Sequence, residues 1–435
     1  MRCDSSHASC AALVAALAFS PSLAMAADKD TATDGAPRIA GFVSETVAYT
    51  YADPTHWSRG VTRLQLSAEG RLGGAKWKIG GRADADPVIN NSGFYLDRVK
   101  DDQRTDFFWR ETYLDFSAGD WEFRIGAQNI VWGEVVGLFF ADVVSARDLR
   151  EYLLPSFDVI RLPQWAARGE YFFGDSKLEL VWIPVPTFDN IGKPGSDFYP
   201  APLPSPTPQA VADQFRDPLE PDRKLSNSNY GVRFGTLIGG WDLAAFYYRA
   251  FATSPTFYRT AAGIFEPQYD RISQTGATLS KDLGSMVLRA EAVYATGQSF
   301  SVTDPAAAQG VAEHDTLDWI ISAEMPFESV EGRLNLQLFQ RHYFGGEADA
   351  ITIDAGSFGA SLLVAAKITP TIEPSLQWIQ GFGGGGSMVR PRVNWYAARN
   401  LVVGVGADIF GGDENGLFGR YGNRDRGYLE VRYDF

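Results

Sequence analysis

The C-terminal segment of the chain, Arg426–Phe435, alternates polar and apolar residues through its last position. Successive side chains of a β-strand point to opposite faces, so this alternation gives the strand one apolar face and one polar face. The apolar face carries Leu429, Val431, Tyr433 and Phe435, and the polar face carries Tyr428, Glu430, Arg432 and Asp434. A strand of about ten residues with two such faces is typical of a barrel with lipid outside and water inside.

The same two-residue period recurs in segments spread along the chain. Polar and apolar residues alternate over 63–69, 121–128, 333–341 and 389–395, where Pro391 is the one awkward member because it cannot donate to a ladder. No apolar run is long enough to cross a membrane as a helix. We therefore predict an all-β fold, a transmembrane antiparallel up-and-down β-barrel.

An aromatic last residue on the apolar face resembles the assembly signal of outer-membrane barrels, and we assign that role to Tyr433 and Phe435. The partners expected from this assignment are the barrel assembly machinery, periplasmic chaperones and outer-membrane lipid. The net charge of −14 argues against nucleic acid as a partner.

The N-terminus predicts secretion. Arg2, an apolar run over 11–19, Pro21 and the small-residue triplet at 24–26 follow the order of a cleavable signal peptide. We predict a signal over 1–26, a short periplasmic segment over 27–38 and a barrel over 39–435 in the outer membrane of a Gram-negative cell. Both cysteines, Cys3 and Cys10, lie in the signal, so the mature chain has no thiol for a disulfide or a metal.

Turn signals predict the number of strands. Eight tight connections are rich in Gly, Asp and Pro, at 73–74, 118–120, 174–175, 239–240, 283–284, 326–329, 370 and 397–400. Nine longer polar or Pro/Gly-rich stretches alternate with them, at 52–59, 85–106, 134–163, 185–227, 251–269, 297–313, 345–356, 381–386 and 411–425. This alternation requires about eighteen strands with both ends on one side, and sixteen is the alternative count.

An eighteen-stranded barrel has a radius of roughly 18 Å, too wide for side chains alone to fill. Charges that face hydrocarbon are costly, so the polar strand faces must line the lumen. Six arginines are candidates for the lumen wall: Arg63, Arg124, Arg333, Arg341, Arg390 and Arg392. They form either a structural salt-bridge ladder between strands or a track that binds an anionic or amphipathic solute, and the two roles are compatible.

Segment 134–163 is too apolar to lie free in water. Ser145 and Asp148 form a capping-box pattern, which predicts a helical turn up to Pro155 with Leu149, Tyr152 and Leu153 on one face. We predict that this partly helical loop folds into the barrel as a constriction, and the alternative is a cap outside it. The constriction residues are Leu138, Phe139, Phe140, Leu149, Tyr152 and Leu153. The longest loop, 185–227, is rich in proline and favours extended, semi-rigid backbone.

The runs QNIVWGE at 128–134, ADVVSARDLREYLLPSFDVIRLPQWAARGEYFFGD at 141–175, WIPVP and IGKPG resemble a large proteobacterial family of outer-membrane barrels of unknown function. The resemblance covers about residues 121–200 and implies an outer-membrane location and a role in transport. Members are often encoded near exporters of the resistance-nodulation-division type, which implies such an exporter as a partner. The chain also has a general likeness to eighteen-strand polysaccharide-export barrels.

The leading hypothesis is a channel that passes small amphipathic, hydrophobic or anionic solutes. The alternatives are a polysaccharide or polyanion export channel, a structural or adhesion barrel, and an outer-membrane hydrolase. A hydrolase needs a nucleophile beside a histidine base and an acid. The mature histidines, His56, His314 and His342, lie at predicted strand–loop margins, and His342 has no serine motif nearby. We predict that the protein is not an enzyme and has no catalytic residue, metal site or cofactor.

Overall fold

The computed structural model describes residues 37–135, 141–201, 212–261, 263–304, 306–327, 330–345 and 358–435. The predicted signal over 1–26 and most of the segment that follows it lie outside these residues. Within the described chain, no helix has the length and apolar character needed to cross a membrane.

The described chain forms a closed barrel of eighteen antiparallel strands, which confirms the predicted fold and count. The first nine are β1 Arg38–Thr50, β2 His56–Leu72, β3 Ala75–Ala85, β4 Thr105–Ala118, β5 Trp121–Gln128, β6 Gln164–Phe173, β7 Ser176–Ile183, β8 Asn229–Ile238 and β9 Trp241–Phe251. The other nine are β10 Arg271–Asp282, β11 Val287–Ser301, β12 Val311–Phe327, β13 Gly332–Phe344, β14 Phe358–Ala366, β15 Ile372–Gly381, β16 Gly386–Ala398, β17 Leu401–Gly411 and β18 Arg426–Asp434.

Strand β4 is broken at Arg110 and Glu111, and its two pieces, Thr105–Trp109 and Thr112–Ala118, both pair with β3. The break lets the buried Arg110 side chain enter the bore, where its guanidinium donates a hydrogen bond to the carbonyl oxygen of Arg161 in the loop between β5 and β6. Each strand pairs with its neighbours in the chain, and β1 pairs with β18 from Phe42–Asp434 to Thr50–Arg426. This last pairing closes the sheet, so the barrel has no free edge.

The predicted tight connections all lie at one end of the barrel, called here the short-turn mouth, together with both ends of the barrel sequence. The described parts of the predicted loops lie at the other end, the long-loop mouth, and the predicted loop over 345–356 falls outside the described residues except for Gly345. The loop over 86–104 contains helices α1 Pro87–Asn91 and α2 Asp97–Gln103, and the loop over 129–163 contains α3 Phe157–Ile160. The loop over 252–270 contains a hairpin of strands Thr256–Ala261 and Ile264–Gln268. Short 3₁₀ turns span Ala212–Gln214, Leu225–Asn227, Ala308–Gly310 and Gly419–Arg424.

The two faces of the sheet follow the predicted alternation. Outward residues of β2 and β18, such as Leu64, Leu66 and Leu429, are at least 40% exposed although they are apolar. Inward residues include the fully buried Arg82 and Asp408. Pro391 faces outward, and the β16–β17 ladder has no pairs between Val389–Ile409 and Arg392–Gly406, as a residue without an N–H requires. This inside-out polarity is what a lipid-spanning barrel needs.

Candidate functional site

The segment between β5 and β6 folds into the barrel, as predicted. Its part from Ala141 to Pro163 is called the strap here. Ala146–Arg147 pairs with Arg161–Leu162 in a short ladder, so the strap leaves the wall and returns as a hairpin-like excursion. Because it touches inward side chains of strands on opposite sides of the bore, the strap crosses the lumen and does not cap it from outside.

Apolar packing anchors the strap on the β6–β11 side. Ala141 and Val144 of the strap, together with Trp132 before it, pack against inward residues of these strands. These wall residues are Ala166, Val181, Ile183, Phe246, Tyr248, Ala250 and Val293. The buried Glu291 carboxylate of β11 accepts hydrogen bonds from the backbone N–H groups of Glu134, Val135 and Ala141, the latter two at 2.7 and 2.8 Å. A carboxylate held by several backbone donors is a strong anchor, so Glu291 ties the first residue of the strap and the segment before it to the wall.

Arginines of the wall hold the middle of the strap by its backbone. Arg82 of β3 donates to the carbonyl oxygen of Val159 at 2.7 Å. Arg110 donates to the carbonyl oxygens of Asp158 and Arg161, both at 2.6 Å. Arg390 of β16 donates to the carbonyl oxygen of Leu154 at 2.8 Å. A guanidinium has several donors in a planar fork, which suits it to hold carbonyl groups that have no partner in a regular strand.

Three carboxylates of the strap add ion pairs to these contacts. Asp148 pairs with Arg82 at 3.1 Å and with Arg150 of the strap itself at 2.8 Å. Glu151 pairs with Arg59 of β2 at 3.1 Å and with Arg426 of β18 at 3.0 Å. Asp158 pairs with Arg432 of β18 at 3.1 Å.

The pKa values of these carboxyl groups follow from the same contacts. Burial alone would raise the pKa of Glu151, but Arg59 and Arg426 outweigh it and lower the pKa to about 2. Burial would likewise raise the pKa of Asp148, but Arg150 and Arg82 hold it well below its usual range. The pKa of Asp158 is also lowered, because the hydrogen bond from Ser156 and the pairing with Arg432 exceed the effect of burial. All three groups are therefore ionised at neutral pH.

The predicted constriction residues are only partly described. Leu138, Phe139 and Phe140 lie outside the described residues. Leu149, Tyr152 and Leu153 are half-buried within the bore. The Tyr152 ring lies 5.0 Å from that of Tyr421, in an apolar cluster with Leu154, Phe198, Phe410 and Phe418 on the β15–β17 side.

The helical turn predicted from Ser145 up to Pro155 is wrong: the structure has turns there, with Tyr152 at a φ of 51°, and α3 begins only after Pro155. The Ser145 hydroxyl donates to the carbonyl of Ile130 at 2.9 Å and caps no helix. The Asp148 carboxylate accepts hydrogen bonds from arginines, and the Leu149 N–H donates to the carbonyl oxygen of Asn190 at 2.8 Å. Tertiary contacts thus replace the local capping pattern.

A cavity of about 370 Å³ lies between the strap and the short-turn mouth. Its walls are the inward faces of β1, β2 and β16–β18, and Leu154, Pro155 and Val159 of the strap form its roof. Five arginines and five carboxylates line it: Arg63, Arg390, Arg392, Arg426, Arg432, Glu151, Asp158, Asp408, Glu430 and Asp434. Its formal charge is therefore balanced. Phe42, Tyr396 and Tyr428 add aromatic surface, so the cavity combines fixed charges of both signs with apolar patches.

Five of the six predicted wall arginines pair with a carboxylate of a nearby strand. The pairs are Arg63–Asp84 at 2.9 Å, Arg124–Asp115 at 2.7 Å, Arg341–Asp318 at 2.6 Å, Arg390–Asp408 at 2.7 Å and Arg392–Glu430 at 3.0 Å. Arg333 is exposed beside the turn that precedes β13. The structure brings only Arg63, Arg390 and Arg392 to the cavity. The salt-bridge ladder is thus present, and the solute track stays a prediction.

Several arginines that hold the strap were absent from the predicted set. Arg426 and Arg432 could have been included, because they share the polar face of the clearest strand in the sequence. Arg59, Arg82 and Arg110 gave no comparable signal. Their partners lie in the strap, tens of residues further along the chain.

The closed barrel and its in-folded loop define the class, a porin-like β-barrel. It resembles the solved structures of OccK8 (OprE) from Pseudomonas aeruginosa (10% identity, 92% of this chain and 98% of that chain, TM-score 0.53) and OccAB3 from Acinetobacter baumannii (9%, 92% and 99%, 0.52). OpdK from Pseudomonas aeruginosa, solved with vanillate, is similar at 12% identity, 91% and 98% coverage and a TM-score of 0.51. At such identities the likeness shows the fold alone.

The sequence model of the family described as "Protein of unknown function (DUF1302)" matches residues 67–435. The chain therefore belongs to the DUF1302 family, which confirms the predicted resemblance to a barrel family of unknown function. No curated protein sequence matches the chain.

Proposed function

We propose that the protein is an outer-membrane channel for small amphipathic or anionic solutes, with the strap as its constriction. The observation that carries the proposal is the cavity beneath the strap. Its walls are polar and charged, it reaches the short-turn mouth, and its volume of about 370 Å³ suits a small organic molecule. The outward apolar face of the barrel supports the outer-membrane location.

The charge balance of the cavity favours a small solute over a polymer. A channel for a polyanion would present an excess of positive charge along its path. Here each wall arginine of the cavity has a carboxylate partner, so a long anion would meet alternating attraction and repulsion. We therefore place the polyanion export channel second. An exporter of the resistance-nodulation-division type remains a proposed partner.

A hydrolase is less well supported than a channel. His56 has the carboxylate partner expected of a catalytic histidine, but its ring nitrogens are not free. The Nε2 atom of His56 lies 3.1 Å from Asp197, and its Nδ1 atom lies 2.8 Å from the carbonyl oxygen of Pro54. Both ring nitrogens are thus engaged, so neither is placed to accept a proton from a nucleophile.

Thiol modification of the purified protein in planar bilayers tests the proposed path. Thr46 lines the cavity, and its neighbour Val47 points to the outside of the same strand. We expect a charged methanethiosulfonate reagent to reduce the conductance of Thr46→Cys and to leave that of Val47→Cys unchanged. Folded wild-type protein that does not conduct would contradict the channel, and equal responses of the two variants would place the path elsewhere.

A further inference from the structure

The arginines of the cavity differ in how far a solute can reach them. The side chains of Arg392 and Arg432 are each 28% exposed, whereas those of Arg63 and Arg426 are 10% and 6% exposed. Arg63 and Arg426 are enclosed by their own carboxylate partners and act as parts of the wall. Arg392 and Arg432 are therefore the cations that a molecule in the cavity meets first.

Arg432 differs from Arg392 because one of its partners belongs to the strap. Its Nη1 atom donates to Asp158 of the strap at 3.1 Å, and its Nη2 atom donates to Asp434 of its own strand at 2.9 Å. The guanidinium lies 3.8 Å from the centre of the Phe42 ring. This cation–π contact fixes the plane of the guanidinium, so Nη1 stays directed at the strap while Nε and Nη2 stay directed at Asp434.

The geometry points to Arg432, seated on Phe42, as a binding site for the carboxylate of a small organic acid. In the structure the strap residue Asp158 occupies this site, and the solute carboxylate takes its place. The inference rests on the proposed channel and names both its solute class and the contact that the solute breaks. The acid has an apolar body, because Leu154, Pro155 and Val402 line the cavity between the charged groups.

The exchange is feasible because neither carboxylate is left buried without a partner. The Asp158 side chain is 48% exposed, so water can solvate it once it leaves Arg432. An exposed ion pair of this kind contributes little net free energy. The incoming carboxylate then makes the same charge-assisted hydrogen bonds to the guanidinium.

Glu151 cannot be exchanged in the same way. Its side chain is only 14% exposed and pairs with Arg59 and Arg426, which are both 6% exposed. Displacing it would leave charges buried without a partner, which is costly. An acid in the cavity therefore frees the strap at Asp158 and leaves it tied at Glu151.

Benzoate and its neutral analogue benzamide provide the test, with the full-length protein in planar bilayers. In wild type we expect benzoate, and not benzamide, to change the ionic current in a saturable way. In Asp158→Asn the internal competitor is gone, so half-saturation moves to a roughly fivefold lower benzoate concentration. In Arg432→Gln it moves to a roughly tenfold higher concentration.

Arg289→Gln is the matched control. Arg289 is an inward arginine of β11 that pairs with Glu324 at 2.7 Å, and its side chain is 20% exposed, but it does not line the cavity. We expect the benzoate response of this variant to equal that of wild type.

A channel that conducts but gives the same benzoate response in wild type, Asp158→Asn and Arg432→Gln overturns the inference and leaves the proposed function standing. Absence of conductance in folded wild type refutes the proposed function instead. If Arg432→Gln fails to fold, Asp158→Asn decides alone, because it keeps every arginine of the wall.

Discussion

Arg390 and Arg392 project from one face of β16, but they hold different partners. Arg392 pairs with Glu430, and both side chains are about one-quarter exposed in the cavity. Arg390 binds Asp408, which is 1% exposed, and also the carbonyl of Leu154 in the strap. The sequence pattern treats the two residues alike, whereas their contacts assign one to the surface of the cavity and the other to the attachment of the strap.

This difference predicts different outcomes for two single substitutions. Arg392→Ser leaves Glu430 without its cation, so we expect a shift of ion selectivity toward cations and a change in stability of less than about 1 kcal/mol. Arg390→Ser removes hydrogen bonds to a buried carboxylate and to the strap, so we expect a loss of about 2 kcal/mol and a higher conductance. Reversal potentials in a salt gradient and thermal melting measure both effects. Identical behaviour of the two variants would contradict the assignment.

The strap carboxylates predict how the channel responds to acid. The pKa of Glu151 is lowered from 4.5 to about 2, and that of Asp158 is lowered as well. A carboxyl group whose pKa is lowered by its ion pair stabilises the bound position of the strap at pH values above its ordinary pKa. This stabilisation is lost as the pH falls through the lowered pKa, because the carboxylate becomes protonated. We expect constant conductance from neutral pH to about 4.5 and a rise only as the pH approaches 2. A rise already between neutral pH and 5 would show that another group holds the strap.

At the scale of elements, the strap crosses the bore and is the proposed constriction. We expect that trimming residues 138–154 raises the conductance, because it removes the contact of Glu151 with β18 and that of Leu154 with β16. All pairings between barrel strands lie outside the deleted range, so the barrel should still fold. A retained shift between heated and unheated protein in gel electrophoresis checks folding. A folded deletion protein that conducts no better than wild type would move the constriction to the loop over 185–227.

The elements differ in how well the sequence predicts them. Strand count and strand faces are local properties, since a two-residue period and a Gly- or Asp-rich turn are visible within ten to fifteen residues. The break in β4 at Arg110 could not be predicted this way, because its cause is a contact with the strap at Asp158 and Arg161. The helix predicted up to Pro155 failed for the same reason. Local capping signals decide a helix only where tertiary partners do not compete for the same groups.

The candidate site follows the same rule. The inward direction of Arg63, Arg390 and Arg392 could be read from the alternation, because direction depends only on register. Which of the six arginines share one cavity depends on the pairing of β1 with β18, which closes the barrel and brings the faces of β16–β18 near those of β1 and β2. That proximity joins residues more than three hundred positions apart, and no pattern within a single strand reports it.

At the scale of the whole molecule, the closing seam depends on the last residue in two ways. Phe435 exchanges backbone hydrogen bonds with Gly41, both at 2.9 Å, and the residue is 46% exposed, with its ring on the outer face. Deleting Phe435 removes the hydrogen bonds and the ring, whereas Phe435→Ala removes the ring alone. We expect both variants to reduce the yield of folded protein in the outer membrane, and Phe435→Tyr to preserve it. If Phe435→Ala assembles normally, this position is needed for its backbone hydrogen bonds to Gly41 and not as an aromatic assembly signal.

The ion pairs of the strap also impose an order on biogenesis. Glu151 and Asp158 find Arg426 and Arg432 some 275 and 274 residues later in the chain, on β18. Contacts between such distant positions form late, because the intervening chain must first be brought together. The strap can form these ion pairs in their final geometry only when β18 has paired with β1. Until then the strap lacks its partners on β18. The step that closes the barrel is therefore also the step that fixes the strap across the bore.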